Sequence, residues 1–157
     1  MKFGKVLAVV TGKHSDAGVI SHAASLVKEQ RGSLIIVYVI RVDRSLPLDA
    51  EVPDEIKRGE EILQSAEAAL SVPRMDVEAE LVQSREMGSA VVHEAAVRNV
   101  DAVVLGTPYP TDLGRFSLGT DIPYVLEYAP CYVFLLREPV GGAPTGQRQL
   151  TGRAATR

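Results

Sequence analysis

Short, wholly apolar runs alternate along this chain with segments of helical spacing, and that alternation restricts the fold more than any other feature. Lys5-Val-Leu-Ala-Val-Val10 is continuously apolar after its first residue, as a strand buried on both faces must be. From Val19 the apolar residues fall at 19, 20, 23, 24, 26 and 27, which is helical spacing. Gly32 follows as the expected left-handed cap. Leu34 to Val42 reads as a second strand, and Asp43 to Pro53 as a loop. Pro53 and Asp54 open a second helix whose Ile56, Ile62, Leu63, Ala66, Ala69 and Leu70 form one stripe, with Pro73 beyond its end.

Val77 to Val82 alternates apolar and polar residues, which predicts an edge strand with one wet face. A third helix is expected over 88–97, a fourth strand over 101–106 and a loop over 107–117. A fourth helix is expected from Thr120 to Tyr128, and a fifth strand from Cys131 to Leu136. Five strands each followed or preceded by a helix predict an α/β fold: an open five-stranded parallel sheet with helices on both faces, joined by right-handed crossovers. The domain is expected to span residues 1–138. Residues 139–157 hold three arginines, no acid and few large apolar groups, so a flexible C-terminal tail is expected there.

Composition removes several function classes. A net charge of -3 leaves no electrostatic footprint for nucleic acid, and 5% aromatics is a thin supply of stacking surface. No apolar run approaches the roughly 18 residues of a membrane-spanning helix, so no direct membrane insertion and a cytoplasmic location are expected. Cys131 is the only cysteine, which excludes an internal disulfide and a thiolate cluster. It is expected to pack as a small hydrophobe. His14, His22 and His93 show no ligand spacing, so no metal site is expected; His22 and His93 read as helix-surface residues. The acids Asp54, Glu55, Glu60, Glu61 and Glu67 read as the solvated face of the second helix, and Ser15 with Asp16 as helix-cap chemistry.

A ligand in such a sheet binds outside the carboxyl ends of the strands, where the strand order switches. The loops that qualify follow the first strand (Thr11-Gly12-Lys13, with His14 in reach of a phosphate or base) and the fourth (from Gly106). Gly106 suits a sharp exit from the strand. Gly119 and Thr120 precede a helix, where free N–H groups and the helix dipole favour an anion.

These residues resemble the universal stress protein family over about residues 4–137. Nucleotide-binding members carry Gly-x2-Gly-x9-Gly-Ser/Thr after the fourth strand, then a helix and Ala-Pro-Cys-x-Val. Here Gly106, Gly119, Thr120 and Ala129-Pro-Cys-Tyr-Val133 match at that spacing, and Gly12 and Gly88 fit. The resemblance implies a Rossmann-like, adenine nucleotide alpha hydrolase-like fold and a stress-response, homodimeric module. It also implies a nucleotide site built from Thr11, Gly12, Val39, Gly106, Tyr109, Gly119 and Thr120, taking ATP or AMP, with magnesium if ATP. Two positions depart from the pattern: Tyr109 stands at the second motif glycine, and Thr11 where the family has the acid that holds the ribose. A threonine cannot accept two ribose hydroxyl bonds as a carboxylate can. The alternatives that stay open are another small ligand, or a ligand-free interaction protein with Tyr109 in the pocket, regulating for example a membrane transporter. The looser likeness of Ile122 to Cys131 to transporter-associated members points the same way. No general base or metal-ligand set suggests more than slow ATP hydrolysis. The family implies dimerisation through the Cys131–Leu136 strand, flanked by Tyr124, Tyr128 and Tyr132.

Overall fold

The computed structural model describes residues 1–70, 75–107 and 116–139. Five strands, β1 (Lys5–Val10), β2 (Ser33–Arg41), β3 (Asp76–Ser84), β4 (Ala102–Thr107) and β5 (Tyr132–Arg137), alternate with four helices. The helices are α1 (Asp16–Lys28), α2 (Pro53–Ala68), α3 (Met87–Val97) and α4 (Asp121–Tyr128). All strand pairs are parallel, in the order β3-β2-β1-β4-β5. β1 and β2 lie in the middle and are almost wholly buried, which is why their sequences carry no polar alternation.

Two apolar clusters sandwich the sheet. Val6, Ala8 and Val10 of β1 meet Val19, Ile20, Ala23 and Val27 of α1 and Leu63 and Ala66 of α2. On the other face Leu7 and Val9 meet Val91 and Ala95 of α3 and Val125 of α4. The period-2 alternation along each strand thus assigns α1 and α2 to one layer, α3 and α4 to the other.

β3 is an edge strand, as its alternation predicts. Its outer carboxylates are tied to α3 by Arg98, which donates to Glu78 at 3.0 Å, Glu80 at 2.5 Å and Glu94 at 3.2 Å. Burial, reinforced by the Glu94 charge, pushes the Glu80 carboxyl up, and Arg98 opposes that rise.

Four local expectations need correction. Gly32 is not the left-handed residue after α1; Arg31 is, with φ 48°. Gly32 instead lies against the Gly4 carbonyl, with Gly4 C 2.9 Å from where a Cβ would stand. Ser15 is buried and makes no side-chain cap bond, and Asp16 turns its carboxylate back to the Thr11 and Gly12 N–H groups instead of to the helix. His22 is no free surface residue: its ring packs 5.2 Å from that of Phe134, and its Nε2 is buried. Ala69 lies past the end of α2 and is exposed, outside the stripe. Cys131 is half-buried against the second cluster, where burial pushes its thiol pKa up and so disfavours a reactive thiolate. Pro73, Tyr109 and the tail from Val140 lie outside the described residues.

Candidate functional site

Strand succession runs from β1 outward through β2 to β3, then restarts on the other side of β1 with β4 and β5. The switch between β1 and β4 opens a crevice at their carboxyl ends. Both sequence-predicted loops border this end, because one leaves β1 and the other leads from β4 to α4.

In the first loop Gly12 takes φ 83°, a conformation that an L side chain resists. Asp16, in the first turn of α1, reaches back over it. Its Oδ1 accepts the Thr11 N–H at 2.9 Å and the Thr11 hydroxyl at 3.3 Å, and its Oδ2 accepts the Gly12 N–H at 2.7 Å. The Thr11 and Gly12 donors are therefore already satisfied, and a carboxylate stands beside Thr11. This supplies an acid near the position where Thr11 replaces the acid of the motif. In the sequence Asp16 reads as helix-cap chemistry, and its spacing of five from Thr11 is the one clue to this contact.

His14 is 81% exposed, and its Nδ1 lies 2.9 Å from Oε2 of Glu138, whose N–H donates to the Thr107 carbonyl. The loop is thereby tied to the end of β5. Arg58 and Ile62 of α2 lie over Gly12, 3.6 Å and 2.7 Å from where a Cβ would stand. A groove of about 460 Å³ runs on between α1 and α2, with Ile20, Ile62 and Ala66 in its walls and Lys13, His14 and Arg58 among its polar groups.

Gly106 does not mark a sharp turn. β4 continues through it to Thr107, and a Cβ there would stand 2.7 Å from Val19 Cγ2 and 3.4 Å from Ser15 Cβ. Its lack of a side chain lets α1 lie close on the sheet. Val39 is half-buried, one rung beyond the last β1–β2 pair (Val10 with Tyr38), and its side chain joins the second cluster.

Gly119 fits the expectation better. It has φ 72°, and among the described residues nothing lies within 4 Å of where its Cβ would stand. Its N–H donates to Ser117 Oγ at 3.1 Å. Thr120 occupies the N-cap position of α4, yet its hydroxyl makes no cap bond. Asp121 joins the two helix N-termini by accepting the Gly88 N–H at 2.9 Å. Gly88 permits that approach, since a Cβ there would stand 2.9 Å from the Asp121 carbonyl oxygen.

A cleft of about 300 Å³ lies here, lined by Glu86, Ser89, Thr120, Asp121 and Tyr124. Its two helix N-termini favour an anion, while its two carboxylates oppose excess negative charge. Thr120 and Gly12 thus border different hollows, both reached from the carboxyl end of the sheet. Asp16, Arg58, Glu86, Ser117 and Asp121 are the neighbours that motif reading did not supply. Among the described residues, no cluster of three metal-ligating side chains exists and no helix is long and apolar enough to cross a membrane.

Comparison with known proteins adds a family. The Universal stress protein family model matches residues 2–137. The chain is 23% identical over 143 residues to the universal stress protein MJ0531 of Methanocaldococcus jannaschii, covering 87% of this chain and 84% of that protein. Its fold is similar to a universal stress protein crystallised with cAMP, with TM-score 0.62, 18% identity, and 87% and 98% of the two chains covered. It is also similar to the universal stress protein of Archaeoglobus fulgidus in complex with dAMP, with TM-score 0.65, 17% identity, and 83% and 94% covered.

Proposed function

The chain belongs to the universal stress protein family, and from that premise we propose that it is a regulatory module that binds an adenine nucleotide and is not primarily a catalyst. The observation that carries the reading is the pair at the start of α4: Gly119, left-handed and open on its outer side, and Thr120, whose hydroxyl is free of the helix. Phosphate oxygens approach a backbone most closely where no Cβ intervenes, and the helix dipole adds to the attraction. Thr11, Gly12 and Asp16 would flank the ribose, Val39 the base, and Tyr109 the loop between. Relatives crystallised with cAMP, dAMP and AMP support this ligand class. Where ATP is the ligand, the Glu86 and Asp121 carboxylates fit magnesium better than bare phosphate.

Calorimetric titration with ATP, AMP and cyclic AMP, each with and without magnesium, tests the reading. Saturable micromolar binding is expected. Gly119→Ala should weaken it about tenfold, because alanine in the left-handed region costs of order 1–2 kcal/mol. Absence of heat with all three ligands from folded protein would sink the nucleotide reading.

The same module is proposed to be a homodimer through β5, an open sheet edge beside the exposed Tyr124, Leu126, Tyr128 and Tyr132. The N–H groups of Tyr132 and Glu138 donate to β4-side carbonyls, those of Asp101 and Thr107, so strand alternation turns the Val133 and Leu135 N–H groups outward. Val133→Pro removes one outward donor at a site where an edge strand tolerates proline. Light scattering should report a monomer for this variant and a dimer for the parent. Equal masses would refute the β5 seam.

A further inference from the structure

We propose that the carboxyl ends of β2 and β3 form a second anion site, adjoining the Gly119–Thr120 cleft and sharing Glu86 with it, that takes a compact phosphate-bearing group. Three arginines from different segments converge there: Arg41 ends β2, Arg44 follows in the next loop, and Arg85 lies between β3 and α3. With Val42, Asp43 and Glu86 they line a cleft of about 460 Å³. Arg85 is fixed in place, its Nη1 donating to the carbonyl oxygens of Val42 at 3.3 Å and Asp43 at 2.5 Å.

Glu86 stands among these cations as a built-in anion. Its Oε2 lies 3.6 Å from Arg41 Nη2 and its Oε1 3.6 Å from Arg44 Nη2, so each oxygen faces a different guanidinium. Both separations exceed hydrogen-bond length. The carboxylate is therefore held loosely, and the guanidinium donors facing it are not saturated by it. A phosphate carries more charge and more acceptor oxygens, and can take shorter, bidentate contacts from arginine. Glu86 is also the N-cap residue of α3 and makes no side-chain cap bond, so the positive end of that helix adds to the field. Asp43, the other carboxylate of the lining, is turned to the Ser45 N–H at 2.8 Å. Displacing the Glu86 side chain toward solvent leaves three cations around the incoming group.

The test is an NMR titration of uniformly labelled full chain with inorganic pyrophosphate at low salt. It follows the amides of residues 41–44 and 87 and the arginine Nε–H signals. Saturable shifts are expected at these positions. Glu86→Gln keeps the side-chain length, removes the competing charge and should tighten binding about tenfold, while the double variant R41A/R44A should weaken it at least about tenfold. Arg41 and Arg44 are 63% and 83% exposed, so both variants are expected to fold. Shifts confined to Gly12, Gly119 and Thr120, equal affinity in Glu86→Gln and parent, or the same response to acetate would each overturn the proposal. The nucleotide reading stands or falls separately on Gly119→Ala, which should leave the pyrophosphate shifts at residues 41–44 unchanged.

Discussion

Gly32→Ala is expected to destabilise the protein by about 2–3 kcal/mol, an overpacking cost joined to a broken backbone contact. The Gly4 carbonyl oxygen accepts the Ser33 N–H at 2.9 Å, the hydrogen bond through which the chain enters β1 and β2 together. A methyl at residue 32 would overlap that oxygen, with Gly4 Cα 3.1 Å away as well. Residue 32 cannot retreat, because its own N–H donates to the Val27 carbonyl at 3.0 Å and closes α1. The strain falls where the chain enters β1 and β2, the two strands that are buried over most of their length. For a chain of this size the melting temperature should drop by about 4–12 °C. Gly18→Ala is the internal control: it is exposed on α1 with nothing within 4 Å of the new Cβ, so helix propensity should stabilise by about 0.5–1 kcal/mol. Urea unfolding of both variants checks the pair. A Gly32→Ala midpoint equal to that of the parent would remove the close contact from the account.

That pair shows where the sequence was legible. Periodicity reports burial, so the apolar run of β1, the alternation of β3 and the Pro53-Asp54 helix start all appear in the structure where they were expected, within a residue or two. Glycines carry two meanings that a sequence does not separate. Gly12 and Gly119 serve a left-handed backbone; Gly32, Gly88 and Gly106 serve close approach by another segment. Gly106 fits the family pattern, yet its nearest constraint is Val19 of α1, and that contact arises only when the helix folds back on the sheet. Asp16 was legible as a residue favoured at helix starts, but its grip on Thr11 and Gly12 depends on the loop's turn. Arg85 lies too far from Arg41 and Arg44 in sequence to read as one cluster with them, and parallel pairing of β2 with β3, which sets Arg41 level with Ser84, brings it to them.

Asp121→Asn should raise affinity for magnesium-free ATP by about fivefold to thirtyfold, the effect of removing about 1–2 kcal/mol of like-charge repulsion near the protein surface. Asparagine keeps an oxygen for the Gly88 N–H, so the junction of α3 and α4 that shapes the cleft survives the change. The gain should rank with ligand charge: largest for ATP, smaller for AMP and smallest for cyclic AMP. Magnesium should narrow the difference between variant and parent, since a cation on the triphosphate offsets the same carboxylates, Asp121 and Glu86, that line the cleft. Titration of each ligand against both proteins at one ionic strength measures this order directly. If Asp121→Asn binds every nucleotide as the parent does, the phosphates lie away from the start of α4. Gly119 and Thr120 then owe their geometry to the approach of α3 and α4, and any nucleotide would have to be sought nearer the α1–α2 groove beside Gly12.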